Sequence, residues 1–380
     1  MISASIRPAR TNRSPIFEWW RSVDQVTLGL LICLIAAGLI LSMGASPAAS
    51  ARLEYGNPFY FLYRHSVFAA LGLFGAIVIS ILGPLFARRI AILTLIGGIL
   101  AMAALPVLGY EVKGATRWIR FGPFGLQPSE FAKPAFIVFA AWMFAMKKRD
   151  PKLPAVGIVF AAYIVLIGLL LMQPDFGQSF LLTLSFGAVF FFAGLSLGWM
   201  LFLVTVSGFG FLGAYLTLDH VRDRVQRFLN PETSDTYQTD KALEAIANGG
   251  LLGRGPGEGT VKHSVPDIHT DFIFAATVEE FGFLISLLLI ALLAGFVLRA
   301  FRNALRLNDY FCQLAVAGLA TMVGMQIIIN LFVNLNMAPP KGMTLPFISY
   351  GGSSMLALCF TAGLILAFTR QRPGAYGYGD

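Results

Sequence analysis

Charge is what this chain lacks. Only 13% of its 380 residues are Asp, Glu, Lys or Arg, against 57% hydrophobic, and its mean hydropathy is +0.72. That balance excludes a water-soluble domain; long apolar runs divided by short charged loops read as an all-α polytopic membrane protein. Polar and apolar residues do not alternate over about ten-residue segments, as the run from Val26 to Met43 shows, so a β-barrel is excluded too. Cysteine is scarce: Cys33, Cys312 and Cys359 lie far apart inside apolar runs, which gives neither a disulfide framework nor a zinc spacing and leaves buried packing as their reading. No P-loop, G-x-S-x-G or zinc signature occurs, so ATP hydrolysis and serine hydrolysis have no support. The net charge of +8 sits largely beyond the ends of apolar runs, where it serves topology and anionic-lipid contact and not nucleic acid.

What is present is a series of ten apolar runs: 25–45, 64–83, 89–109, 129–146, 153–172, 177–193, 198–218, 271–298, 310–335 and 351–369. Each is near the twenty or so residues that cross about 30 Å of hydrocarbon, the sixth being the shortest. Residues 1–23 carry Arg7, Arg10, Arg13 and Arg21 without an apolar core, and read as a disordered cytoplasmic tail and not a signal peptide. Trp19 and Trp20 suit the membrane interface. Residues 24–370 form the membrane domain and 371–380 a short tail. Placing the N-terminus inside puts Arg88, Arg89, Lys147, Lys148, Arg149, Arg299, Arg302, Arg306 and Arg370 inside as well, in accord with the positive-inside bias. Both termini are then cytoplasmic.

The outward loops are unusual. Residues 110–128 mix cations, aromatics and glycines, as a segment lying in the interface would. Residues 219–270, between the seventh and eighth spans, form a large polar loop in which Thr239 to Ala247 suits a short helix stopped at Asn248-Gly249-Gly250. Residues 336–350 hold prolines and glycines that prevent an ordinary helix and point to a re-entrant or capping segment.

Ionisable residues cluster at the outer ends of spans. Glu130 and Lys133 are three apart, share a helix face and can pair. Asp175 with Gln178 fits a helix cap, and Asp271 opens the eighth span, where the helix dipole favours it. Each has a structural explanation by itself. Together, on one side of the bilayer, they supply a general base and a charged-headgroup site, with Arg64, Lys113, Arg117, Arg120 and Lys341 as phosphate or pyrophosphate partners. Glu279 and Glu280, further along the eighth span, read as helix–helix hydrogen-bonding groups, and His269 as a loop histidine packed near the mouth.

Five motifs then carry a resemblance: Gly114-Ala-Thr-Arg-Trp-Ile119, Gln127-Pro-Ser-Glu-Phe-Ala-Lys133, Gln173-Pro-Asp-Phe-Gly177, His269-Thr-Asp-Phe-Ile-Phe274 and Ile348-Ser-Tyr-Gly-Gly-Ser-Ser354. In this order, and over about residues 25–369, the chain resembles the SEDS family, named for shape, elongation, division and sporulation. The Lys341 to Pro346 segment and the basic N-terminal extension look more like its division branch than its elongation branch. The resemblance implies a glycosyltransferase that polymerises lipid II into β-1,4 glycan at the outer face of the bacterial inner membrane, at the division septum. It also implies a class B penicillin-binding protein, a transpeptidase, as partner, beside other division membrane proteins. Residue by residue, it implies that Asp271 is the essential loop aspartate, Glu130 and Lys133 the salt-bridged pair, Asp175 the second cavity aspartate and Trp118 the outer-loop tryptophan. Assigning Arg64, Arg117, Arg120 and Lys341 to pyrophosphate comes from charge and side. A divalent cation such as Mg or Mn is left open. Two rivals stand beside this reading: a lipid II flippase, whose acid–base groups would reach the midplane or both faces, and a scaffold that only recruits the transpeptidase.

Overall fold

In the computed structural model each of the ten predicted spans is a helix. The structure describes residues 14–112, 115–122, 124–194, 197–217, 237–340 and 342–370, with Arg222 and Gln226 besides. A short helix α1 (Pro15–Ser22) precedes the spans α2 (Gln25–Arg52), α3 (Tyr60–Leu82) and α4 (Pro84–Leu108). Three strands follow, β1 (Gly109–Val112), β2 (Ala115–Phe121) and β3 (Phe124–Leu126), then α5 (Pro128–Arg149), α6 (Ala155–Met172), α7 (Phe176–Phe192) and α8 (Leu197–Thr217). The large loop holds α9 (Tyr237–Gly249), and the last spans are α10 (Ile273–Ala304), α11 (Tyr310–Asn334) and α12 (Gly352–Phe368). Seven of these helices are long and apolar enough to cross a bilayer by themselves, and α7 and α12 are shorter apolar helices.

Burial separates centre from periphery. The most apolar stretch of α5 and of α11 is 72% buried, against 28% in α4, so α5 and α11 are central and α4 largely faces lipid. Apolar side chains gain little from meeting each other in lipid, so close helix contact comes from small residues. The pairing of α3 with α12 shows this: a Cβ on Gly72 would lie 2.8 Å from Cys359 Sγ, and one on Gly363 would lie 2.8 Å from the Ala76 Cα.

Three expectations are corrected and a fourth is extended. The tail is ordered from Ser14, which accepts from the Phe17 N–H at the start of α1, with Pro15 at its first position. Trp19 anchors this helix by donating from Nε1 to Ser80 Oγ at 2.9 Å. The outer loop, read as an interfacial segment, holds a small antiparallel sheet in the order β1-β2-β3, added to the polytopic helical fold. Its β-branched and aromatic residues, Val112, Thr116, Trp118, Ile119 and Phe121, favour pleated backbone. Cys33 is exposed on the bundle surface, whereas Cys312 and Cys359 are buried. Glu279 does bond a neighbouring helix, accepting from Asn248 Nδ2 of α9 at 2.9 Å, and both glutamates also bind the large loop, for a reason that lies in α10 itself.

Helix α10 is broken at Gly282, whose φ of 80° and ψ of 173° are not helical. The freed backbone groups would be costly in a bilayer. The loop after α9 satisfies them: Phe283 N–H donates to Gly250 O at 3.0 Å, while Arg254 N–H donates to Glu279 O at 2.9 Å and Gly255 N–H to Glu280 O at 3.0 Å. The approach is so close that a side chain on Gly249, Gly253 or Gly282 would collide with backbone of the other segment. Glu279 accepts the N–H groups of Val261 and Lys262, both at 2.8 Å, and Glu280 pairs with the buried Lys262 ammonium. Helix α9 ends as expected, with Gly250 in the left-handed region at φ 55°.

The segment 343–350 is irregular yet buried, with Met343, Leu345, Phe347 and Ile348 all inside. It packs on α2 at Gly38, where a Cβ would lie 2.6 Å from Phe347 O. Non-helical backbone at such depth is tolerated because protein surrounds it, as the proline and glycine pattern suggested.

Candidate functional site

The best-defined polar cluster joins α5 to α7. Lys133 Nζ lies 3.2 Å from Glu130 Oε2, and both side chains are buried. Gln178 completes the group: its Nε2 donates to Glu130 Oε1 at 2.6 Å and its Oε1 accepts from the Lys133 ammonium. A buried ion pair survives only when its remaining donors and acceptors are satisfied, and Gln178 does this from the facing helix. The i,i+3 spacing announced the pair; the glutamine was visible in the sequence only as part of a cap.

Asp175 stands beside this cluster and caps α7, accepting from the Gln178 N–H at 3.3 Å. Gln127 Nε2 donates to its Oδ2 at 3.2 Å, and Arg117 Nη1 lies 3.7 Å from the same oxygen. Burial pushes its carboxyl above the ordinary value, against the pull of the Arg117 charge. Arg117 spends its other donors on the turn before α7, Nε to Gln173 O at 2.7 Å and Nη2 to Pro174 O at 2.5 Å. It therefore ties β2 to the α6–α7 turn, and little of it is left for a substrate phosphate.

The sheet carries Trp118 and Arg120. Trp118 pairs with Tyr110 across β1 and β2, and both lie over Gly125, where a Cβ would sit 2.6 Å from Tyr110 Oη and 3.2 Å from Trp118 Cε3. Only glycine fits there. Arg120 is exposed and lies over the Tyr110 ring, 4.8 Å from its centroid. Arg64 links this sheet to the last loop. Its guanidinium donates to Tyr60 Oη at 2.7 Å and lies 5.8 Å from the Phe124 ring centroid in β3, while the adjoining Phe61 meets the Tyr350 ring edge-on at 5.2 Å and Tyr60 meets Phe61 at 5.2 Å.

Tyr350 leads to Asp271. Its N–H donates to His269 O at 3.0 Å, and the His269 ring stacks between Phe61, 4.1 Å away, and Tyr350, 5.6 Å away. His269 thus packs at the mouth, as its place in the loop suggested. Asp271 sits on the turn immediately before α10, half-buried, with its N–H donating to Asp267 O at 3.1 Å. Its carbonyl accepts from Asn330 Nδ2 and Asn334 Nδ2, both at 2.9 Å. Asn330 also donates to Met343 O at 2.7 Å, and Gln326 to Thr344 O at 3.1 Å. A ladder of amides on one face of α11 therefore holds both the Asp271 turn and the irregular segment. Gly342 faces the carboxylate, its Cβ position 3.9 Å from Asp271 Oδ2.

Sequence reasoning missed that ladder. Its signal was present: Gln326, Asn330 and Asn334 recur every four residues inside an apolar span, where unpaired amides would be costly. The structure thus brings Glu130, Lys133, Arg117 and Asp175 into one network, and connects Arg64 and Asp271 to the same end through Phe124, Tyr350 and His269. Lys341 and Lys113 lie outside the described residues. Among the described residues no three His, Cys, Asp or Glu side chains converge as a cation cage.

Comparison with known proteins agrees with this architecture. The cell cycle protein family that takes in FtsW, RodA and SpoVE matches residues 24–373. A Caulobacter vibrioides protein named probable peptidoglycan glycosyltransferase FtsW is 48% identical, over 97% of this chain and 95% of its own length. A Geobacter metallireducens protein of the same name is 34% identical, over 92% and 96%. Among solved structures, one described as structural coordination of polymerization and crosslinking by a peptidoglycan synthase complex superposes with a TM-score of 0.74 at 28% identity, covering 92% of this chain and 98% of that one. The rod shape determining protein RodA of Thermus thermophilus superposes with a TM-score of 0.66, also at 28% identity and covering 92% and 97%. With the family matched along nearly its whole length, and with relatives and folds agreeing, the chain belongs to the SEDS group of multi-pass membrane proteins, the FtsW, RodA and SpoVE cell cycle family.

Proposed function

We propose that this chain is a peptidoglycan glycosyltransferase that polymerises lipid II at the outer face of the bacterial inner membrane, in septal wall synthesis. The observation that carries the mechanism is the placement of Asp271: a half-buried carboxylate on a turn that Asn330 and Asn334 clamp through its carbonyl. A fixed backbone leaves the side chain as the group that can meet a substrate without reorganisation of the site.

In the reaction, the Asp271 carboxylate takes the proton from the 4-hydroxyl of the acceptor sugar as that oxygen attacks the anomeric carbon of the donor. The bond from that carbon to the pyrophosphate oxygen breaks, and the electron pair leaves with undecaprenyl pyrophosphate. One displacement converts an α-linked donor to a β-1,4 bond, with no covalent enzyme intermediate. The leaving charge is met by cations at the same end, Arg64 and exposed Arg120 foremost. Arg117 acts through Asp175 and the α6–α7 turn instead. Glu130, Lys133 and Gln178 hold α5 and α7 in register under the sheet, so they position the site and do not touch the reacting atoms.

Relatives named for this activity and a similar fold from a peptidoglycan synthase complex support a class B penicillin-binding protein as the partner. The positive-inside bias supports a cytoplasmic side for both termini. The test is lipid II polymerisation by purified wild type and Asp271→Asn, each with its transpeptidase. The variant is expected to lose about 100-fold or more of the rate, the scale of a lost general base. Wild-type rates from Asp271→Asn would end this assignment.

A further inference from the structure

We propose that the cytoplasmic end of the bundle holds a binding site for the phosphodiester headgroup of an anionic glycerophospholipid. Between α1, the start of α2 and the end of α10 lies a cavity of about 200 Å³, lined by Arg21, Asp24, Arg299, Asn303, Arg306 and Thr369 among others. It lies at the opposite end from the proposed active site, since α2 runs from Asp24 at this cavity to Arg52, which donates to Ser264 O of the large loop.

The charges in the cavity divide into a fixed pair and a free pair. Asp24 is claimed by Arg299, Nη2 to Oδ1 at 2.5 Å and Nε to Oδ2 at 2.9 Å, and by Asn303 Nδ2 at 2.7 Å. That pair cancels. Arg21 and Arg306 remain: both are exposed, and among the described residues neither guanidinium has a hydrogen bond or a carboxylate partner, Arg21 meeting only the Phe17 ring at 5.9 Å. The cavity thus presents two uncommitted guanidiniums, the donors best shaped for phosphate oxygens.

The surroundings favour a lipid over a free anion. Helix α1 has Ile16, Phe17 and Trp20 exposed while Trp19 anchors it to α3, which is the form of a helix lying in the membrane interface. Close in sequence to Asp24, Arg299 and Arg306, the side chains of Val26 on α2, Leu298 in the last turns of α10 and Leu305 at its C-cap are exposed, giving acyl chains an apolar path from a headgroup seated on the arginines. A basic pocket between helices at the cytoplasmic surface is the arrangement that selects anionic headgroups.

The test uses the full chain in nanodiscs of phosphatidylethanolamine doped with phosphatidylglycerol, followed by native mass spectrometry of retained lipid. The wild type is expected to retain phosphatidylglycerol at least about tenfold over its share of the bilayer, and Arg21→Gln and Arg306→Gln to lower that retention about fivefold each. Arg306→Lys, which keeps the charge, should retain most of it. Arg89→Gln, an exposed arginine at the same end outside the cavity, should leave retention unchanged. Lipid II polymerisation and thermal unfolding of each variant should match wild type, because neither arginine contacts the outer site. Equal retention of both lipids, or an Arg89→Gln loss as large as that of Arg306→Gln, would overturn the proposal. Displacement of the lipid by inorganic phosphate at equal concentration would reassign the cavity to a free anion and overturn it as well.

Discussion

The two ends of this bundle solve the same problem in opposite ways. At each end an aspartate caps a span and faces an arginine from elsewhere in the chain: Asp24 caps α2 and meets Arg299, Asp175 caps α7 and meets Arg117. At the inner end the fit is close, with two contacts of 2.5 and 2.9 Å. Burial raises the Asp24 carboxyl, but hydrogen bonds from Arg299, Thr27 and Asn303 outweigh it and hold the group well below the ordinary carboxylate range. At the outer end the ion pair is stretched to 3.7 Å, because Arg117 is engaged by two carbonyls, and burial wins. The inner aspartate is a stable anion that locks α2 to α10. The outer one is a carboxyl whose charged form burial disfavours, beside a second buried carboxyl group, Glu130. A protein that only needed an anchor would be built like the inner end; the outer end retains charge where charge is expensive.

Breaking the outer end should have the largest effects. Asp271→Asn comes first, with a loss of about 100-fold or more in lipid II polymerisation and an unchanged melting temperature. Lys133→Met comes next: it strands buried Glu130, with only Gln178 left to it, and should cost about 3–5 kcal/mol, measured as thermal unfolding in detergent. Adding Glu130→Gln to that variant removes the stranded charge and should recover a large part of the loss. If the double variant is no more stable than Lys133→Met, the outer pair is no more costly than the inner one and the comparison fails. Gly282→Ala falls beside these, since its φ of 80° and the pressed Gly253 backbone leave no room for a Cβ. It should separate the large loop from α10 and be read as faster amide hydrogen exchange over 250–262.

The spans were legible because a bilayer imposes one length and one composition, and α2 to α8 and α10 to α12 cover the apolar runs, the largest departures being α2, which runs on to Arg52, and α10, which runs on to Ala304. Contacts between distant segments were not. Asp24 and Arg299 are 275 residues apart, Lys133 and Gln178 45, and no local spacing signals either. The break at Gly282 was hidden because one glycine inside an apolar helix is ordinary, and its meaning comes from Gly250 to Gly255 arriving to bond the freed groups. The sheet was hidden because Arg117, Trp118 and Arg120 read equally as an interfacial segment. Of the site, Glu130 and Lys133 could be paired from their spacing, whereas Asp271 was separated from Asp267, Glu279 and Glu280 by family resemblance. Geometry adds a reason: Glu279 and Glu280 are consumed by the loop, whereas the Asp271 turn is clamped through its carbonyl by Asn330 and Asn334.

The smallest predicted effects sharpen the contrast between the two caps. Asp24→Asn weakens charge-assisted bonds to Arg299 and Asn303 and should cost about 1.5–3 kcal/mol of stability. Its pH signature follows from a lowered folded pKa: the stabilisation is fully present above the unfolded value of about 3.9 and is lost as pH falls through the folded value. Asp175→Asn should behave otherwise. Asparagine caps a helix as well as aspartate does, and Arg117 keeps its bonds to Gln173 and Pro174, so the change at neutral pH should lie within about 0.5 kcal/mol of zero, on the stabilising side. Because the folded pKa of Asp175 is raised, the native state binds the proton more tightly than the unfolded chain. Wild-type stability relative to Asp175→Asn should therefore decline as pH rises from about 4 through that raised value, opposite in sign to the Asp24 series. Thermal melts of the two variants against wild type across that pH range give both slopes. Parallel slopes would mean that Arg117 compensates Asp175 as fully as Arg299 compensates Asp24, and that the outer end stores no electrostatic cost.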